Sequence, residues 1–159
     1  MCRNERKIYS QEEIDEILKN AEICRVALYD GNVPYLVPFN FGIDLNNSNI
    51  IYFHCANEGK KLDIINKNPN ACFQVETEVL LKPSEKPCGW ALNYKSVMAL
   101  GQIKIVRDLD EKIHRLNCIM SHYYNQNEFR YNENSLFDTT ILKFKVAVYT
   151  GKKLISKNS

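Results

Sequence analysis

Two lysines behind a glycine are the residues in this sequence with the most definite chemistry to offer. The run His54-Cys55-Ala56-Asn57-Glu58-Gly59-Lys60-Lys61 takes an apolar strand through a glycine turn into a helix that opens on two ammonium groups. Free amides at a helix N-terminus, close backbone approach at glycine and paired positive charge together suit a phosphate. The spacing differs from the Gly-x-x-x-x-Gly-Lys-Ser/Thr of a P-loop. Taken alone, the pair also reads as solvated lysines after a loop, and both readings stand at this point. His54 and Cys55 are strand neighbours, so they point to opposite faces and do not make a nucleophile–base pair.

A second candidate is Val37-Pro38-Phe39-Asn40-Phe41. Proline removes a ladder donor, leaving backbone groups beside large apolar side chains, as a flat heterocycle requires. A barrel core strand with an edge proline would look the same. Metal chemistry is not expected. His114, Cys118 and His122 recur at every fourth position, but on a 3.6-residue period such groups spread around the helix instead of closing on one ion. The six cysteines stand at 2, 24, 55, 72, 88 and 118 with no Cys-x-x-Cys pair, and are expected to be free thiols in a reducing compartment.

These groups need elements to position them. Ser10 and Glu13 form a capping box ahead of an amphipathic helix over 11–20. Cys24 to Tyr29 reads as a strand turning at Asp30-Gly31, with Val33 to Phe41 returning and Pro34 and Pro38 marking an edge or bulge. After a turn at Asn46 to Asn49, Ile50 to Cys55 is a strand. Lys60 to Asn68 is a helix stopped by Pro69, with Leu62, Ile64 and Ile65 inward. Ala71 to Thr77 is a strand with Phe73, Val75 and Thr77 on one face. Residues 78–92 have no period and read as a long loop of the kind that carries function.

Tyr94 to Val106 is a long strand. Asp108 and Glu111 cap a second helix with Ile113, Leu116, Met120 and Tyr123 inward. Asn125 to Asn134 reads as irregular, and Thr140, Leu142, Phe144, Val146 and Val148 alternate as a half-buried strand. Short strands with an early and a late helix predict a mainly β fold: a barrel of about six antiparallel strands with flanking helices, in one domain over 1–159.

Composition narrows the function. A net charge of +2 on 159 residues gives no reason to expect a nucleic-acid or membrane partner. The charged N-terminus has no apolar run behind it, so a cytoplasmic protein is expected.

The sequence resembles the nitroimidazole-resistance (Nim) branch of the pyridoxamine 5'-phosphate oxidase-like FMN-binding split barrels. The resemblance runs from about Ile23 to Lys152. It is carried by Val37 to Gly42, Tyr52 to Ala56 followed by Gly59-Lys60-Lys61, Asn68-Pro69, Cys88-Gly89-Trp90, Tyr94-Lys95-Ser96-Val97 with Gly101, and Thr150-Gly151-Lys152. It implies FMN as cofactor, a homodimer, and an FMN-dependent oxidoreductase using NAD(P)H on a small-molecule substrate such as a nitroaromatic compound. Val37, Pro38, Phe39, Asn40 and Phe41 would border the flavin ring. Lys60 and Lys61 would hold its phosphate, which favours the phosphate reading of that pair. Cys55 and Ala56 would lie near the flavin, and Tyr94, Ser96 and Val97 would lie against it. Trp90 would reach the neighbouring subunit's cofactor, and His54 would stand beside the ring as the candidate catalytic residue.

The C-terminal run Lys152-Lys153-Leu154-Ile155-Ser156 lacks the arginine-containing substrate motif of true pyridoxamine-phosphate oxidases, which argues against the vitamin substrate. Two alternatives come from other classes: a flavin-binding or sensor module without turnover, and a cousin of the same fold that binds haem or another flavin.

Overall fold

A computed structural model describes residues 4–44, 46–124 and 129–156. Its eight strands are β1 (Lys7–Ile8), β2 (Cys24–Tyr29), β3 (Pro34–Phe39), β4 (Phe41–Asp44), β5 (Asn47–Ala56), β6 (Asn70–Lys82), β7 (Ala91–Val106) and β8 (Thr139–Leu154). They pair antiparallel in the order β3-β2-β6-β7-β8-β5-β4, with β1 on β8. The strand expected over 33–41 breaks at Asn40. Its halves, β3 and β4, lie at opposite ends of the sheet although they are adjacent in the chain. The bend at Asn40 therefore brings the two ends together, as a split barrel requires. This break and the short β1 account for eight strands where about six are expected.

Helix α1 (Gln11–Asn20) starts where Ser10 Oγ accepts the Glu13 amide at 3.3 Å, and it buries Ile14, Ile17 and Leu18. Only half of the capping box forms, because the Glu13 carboxylate accepts from Lys153 Nζ at 2.8 Å and ties the helix to β8. Inside the barrel, Phe39, Phe53, Phe73 and Phe144 are all buried, with Phe39 and Phe53 stacked at 5.2 Å. Aromatic and β-branched side chains at period two make this inner face.

The outer face near β5 carries a second cluster. Tyr52 and Ile141 pack there against Leu116, Cys118 and Ile119 of α3 (Leu109–Tyr123) and Leu136 of α4 (Glu133–Phe137). Ile113, Met120 and Tyr123, expected inward, are only half-buried, so the helix is rotated to present Cys118 and Ile119. Arg115 fixes that rotation. Its guanidinium lies 2.9 Å from Asp44 and 3.3 Å from Glu111, over the Tyr52 ring at 4.8 Å, and Tyr52 Oη donates to Asp44 at 2.9 Å. Burial pushes the Asp44 carboxyl up, but the Asn46 amide, Tyr52 hydroxyl and Arg115 charge outweigh it and hold the carboxyl below its ordinary value.

Three further expectations are corrected. Residues 78–92 are not simply a loop, because Leu80, Leu81 and Lys82 pair with Asn93, Leu92 and Ala91 to extend β6 and β7 into a protruding arm. A bulge at Glu78, with φ of 53° and its carboxylate on Lys95 at 2.7 Å, redirects that arm. Val148 is 51% exposed because a bulge between Leu100 and Gly101 sets Val148 opposite Leu100 on the outer face. The irregular stretch from 125 to 134 already contains the start of α4, while 125–128 lie outside the described residues. No helix among the described residues is long and apolar enough to cross a membrane.

Gly42 is where α3 meets the sheet. A Cβ there would stand 2.4 Å from the Cys118 carbonyl oxygen and 2.5 Å from Ile119 Cα, both backbone atoms that cannot turn aside. Gly42→Ala is expected to cost about 3 kcal/mol and to lower Tm by roughly 6–12 °C for a chain of this length. An unchanged thermal melt would show that α3 is not seated as described.

Candidate functional site

The glycine turn and its two lysines are built as a cradle. Helix α2 (Lys60–Lys67) starts at Gly59, whose φ of 129° is open to glycine alone, and no side chain caps its first amides. The Gly59 carbonyl accepts from Leu62 N at 2.9 Å, which closes the first turn. The turn is held by Asn57, whose Nδ2 donates to the Phe137 carbonyl and whose Oδ1 accepts from Thr140 Oγ1, both at 2.7 Å. Leu62, Ile64 and Ile65 bury the other side of the helix.

The two lysines are not equivalent. Lys60 Nζ lies 3.4 Å from Asp30 and 5.1 Å from the Tyr35 ring centroid, so its charge is already engaged. Amides of Val33 and Asn32 hold the Asp30 carboxyl below its ordinary value, with Lys60 adding to the effect. Lys61 has no ion pair among the described residues, and its Nζ lies 3.9 Å from where a Cβ on Gly59 would sit. It curls back over the turn, an ammonium group beside free amides. Asp30 and Tyr35 are the members of this site that sequence reasoning missed. The Asp30-Gly31 pair accounted for itself as a hairpin and gave no sign of a partner thirty residues away.

The other predicted site residues fall into three groups. Phe39, Phe41 and Val97 are buried in the core and offer no side chain to a ligand. The backbone beside them is also engaged, since the Phe39 carbonyl accepts from Cys24 Sγ and the Phe41 amide donates to Tyr123 Oη at 3.1 Å. Pro38 and Asn40 are exposed, while Val37 is half-buried against the core.

At the end of β5 the alternation holds. Cys55 packs against the core beneath Lys61, His54 is exposed on the opposite face, and Ala56 is exposed at the strand end. Burial raises the Cys55 thiol, with Lys61 opposing, and partial desolvation lowers the His54 imidazole. At neutral pH these are a neutral thiol and a neutral ring.

Tyr94 and Ser96 form the third group, half-buried on the outer face of β7, with Trp90 exposed at the tip of the arm and donating to the Ser84 carbonyl at 2.7 Å. This group is far from Lys61. Cys55 is opposite Thr140 and Ser96 is opposite Lys152. The twelve residue steps along β8 from Thr140 to Lys152 are about 40 Å of strand contour.

His114, Cys118 and His122 diverge as their spacing predicts. His114 is exposed, Cys118 is buried, and His122 Nε2 lies 2.8 Å from the Ala21 carbonyl oxygen.

Residues 10–153 match the family described as Pyridoxamine 5'-phosphate oxidase. Among solved structures, a protein from Bacteroides thetaiotaomicron described as a candidate 5-nitroimidazole antibiotic resistance protein is 30% identical. The match covers 92% of this chain and 86% of that one, with a TM-score of 0.80. A flavocytochrome from Azotobacter vinelandii shares the fold at 18% identity and TM-score 0.83, over 98% of this chain and 73% of its own. A FAD- and haem-binding protein from Mycobacterium smegmatis does so at 16% identity and TM-score 0.84, over 97% and 76%. No curated protein matches the sequence.

Proposed function

The chain belongs to the pyridoxamine 5'-phosphate oxidase family, and on that premise we propose that it binds FMN and is an FMN-dependent oxidoreductase of nitroaromatic compounds, allied to the nitroimidazole-resistance branch. The observation that carries the reading is the glycine-opened start of α2 with Lys61 folded over it. Uncapped amides and an unpaired ammonium fit a phosphomonoester, and Cys55 at the strand end beneath keeps the floor neutral. FMN supplies the electron chemistry when bound, and the protein's part is to hold, orient and shield it. This explains why the site contains no built nucleophile and no oriented acid–base pair.

The proposal also takes the chain to act as a homodimer. Lys61 and Cys55 lie about 40 Å of strand away from Tyr94 and Ser96, too far for one mononucleotide to use both sets within a chain. Two copies can supply them to one flavin. Val97 and Ala99 are buried at 0% and 1% and offer no side chain for pairing. The exposed apolar side chains on this side include Met98, Leu100 and Val148 on the outer sheet face and Leu80, Leu81, Trp90 and Leu92 on the arm.

The direct test is colour and turnover. The purified protein should be yellow with a bound-flavin band, bleach with NADH or NADPH, and recover on adding a nitroimidazole. A colourless protein that cannot be loaded with FMN sinks the proposal. A yellow protein that does not bleach leaves a binding module without turnover.

His54 refines the expectation. It stands exposed at the end of β5 with no hydrogen-bond partner among the described residues, and desolvation lowers its pKa below 6.5. Desolvation therefore favours the neutral ring, which gains its proton at a lower pH than an ordinary imidazole. The rate of re-oxidation by substrate should therefore change with pH below about 6.5, and His54→Gln should flatten that profile while FMN occupancy stays full. An identical profile in the variant would assign His54 to structure alone.

A further inference from the structure

We propose that the cleft between α2 and the start of α3 binds a short apolar peptide with free ends, its ammonium group on α2 and its carboxylate on the α3 side. The cleft measures about 450 Å³, in the lower part of the range of small-molecule sites, about 300–1000 Å³. It borders the phosphate cradle at Gly59 but opens on another face of the helix. Leu62, Asp63 and Asn66 follow Gly59 along the cleft at helical spacing. At about 100° per residue, Lys61 leaves the helix roughly 150° away from their mean direction. The cleft also shares no residue with the arm or with Met98, Leu100 and Val148, the apolar face given to pairing.

The two walls carry opposite charges that are not spent within the chain. Glu58 and Asp63 stand on the α2 wall, Arg107 and Lys112 on the other. None of the four makes an ion pair among the described residues. Their neighbours are occupied elsewhere: Lys60 is on Asp30, Glu111 is shared by Arg115 and Lys143, and Asp108 accepts the Glu111 amide at 2.8 Å as the cap of α3. Lys112 Nζ donates to the Leu136 carbonyl at 2.6 Å, a neutral partner that leaves its charge unbalanced. Between the walls the floor is apolar, with Leu62 and Val106 buried and Ile105 half-buried. Asn57 and Thr140 are bonded to each other at 2.7 Å and close the back. The Asn66 side chain has no hydrogen bond among the described residues and is left to meet a peptide group. An acidic wall and a basic wall over an apolar floor match a zwitterion with an apolar body, whereas a simple anion or cation would leave one wall unanswered.

The protein as purified is titrated calorimetrically with L-leucyl-L-leucine. In parallel it is titrated with the N-acetylated dipeptide, which lacks the ammonium, and with L-leucyl-L-leucinamide, which lacks the carboxylate. One saturable site per chain is expected for the free dipeptide. Each capped form should bind about fivefold more weakly, the upper range for a solvent-exposed ion pair. Arg107→Gln should weaken the free dipeptide by the same factor and leave the amide unaffected. Glu58→Gln with Asp63→Asn should weaken the free dipeptide likewise and leave the acetylated form unaffected. Three results overturn the proposal: no saturable binding of the free dipeptide, capped forms as tight as the free one, or wild-type affinity in the variants. One-for-one displacement of the dipeptide by FMN also overturns it, and would make the cleft part of the phosphate site.

Discussion

Lys61→Ala is expected to weaken FMN binding by about tenfold to a hundredfold, which is the loss of one shielded charge-assisted contact worth about 1.5–3 kcal/mol. Lys60→Ala should cost less, although the two residues are adjacent in sequence. The difference lies in prior engagement. Lys60 already faces Asp30 at 3.4 Å and Tyr35 at 5.1 Å, so any phosphate it meets competes with a carboxylate held ionised by two amides. Lys61 has no such competitor and lies over the amides that Gly59 leaves free. Helix N-terminal amides and an ammonium on one side of an anion reinforce each other. Titration of apoprotein with FMN, followed by quenching of flavin fluorescence, measures both variants directly. Equal affinity in wild type and both variants would remove the phosphate from α2. A larger loss at Lys60 would move the anion toward the Asp30 hairpin.

The physical cause of that asymmetry, the pairing of Lys60 with Asp30 thirty residues away, is not legible in the sequence, and the reason is general for this chain. Local signals were legible. Ser10 before Ile14, Asp108 before Glu111, and Pro69 after Asn68 mark helix ends because caps and stops act within a few residues. The alternation in Cys24 to Tyr29 gives a strand with the observed ends for the same reason. What failed was set by partners distant in sequence. Val33 to Phe41 is continuous by composition, yet Phe39 pairs with Cys24 while Phe41 pairs with Phe53, and only that change of partner breaks it at Asn40. Val148 continues the alternation of Phe144 and Val146, yet the opposing bulge at Leu100 turns it outward. The site divides in the same way. Its glycine and lysines are one local run, whereas the placing of Phe39, Phe41 and Val97 in the core depends on which face the closed sheet turns inward.

Breaking the pairing of two copies should have the largest effect, because on the proposed arrangement it separates the two halves of every flavin site. The arm beyond Glu78 carries Leu81 opposite Leu92, 55% and 47% exposed, beside Trp90 at 51%. A hairpin that points this much apolar surface outward signals a surface meant to be covered. Leu81→Asp should raise the dimer dissociation constant by about a hundredfold, the scale of a single interface hot spot, and FMN should be lost in parallel. Circular dichroism and the thermal melt separate this from misfolding. The stronger test is mixing. Lys61→Ala removes the phosphate contact from one set of residues, and Ser96→Trp blocks the other. Each homodimer then carries two defective sites. If each flavin draws on both copies, a heterodimer carries one site with both defects and one with neither, so equal mixing restores about a quarter of the wild-type sites by random pairing. A site built wholly within one chain would gain nothing from mixing, and a monomer that holds FMN tightly at micromolar concentration would exclude the shared site directly.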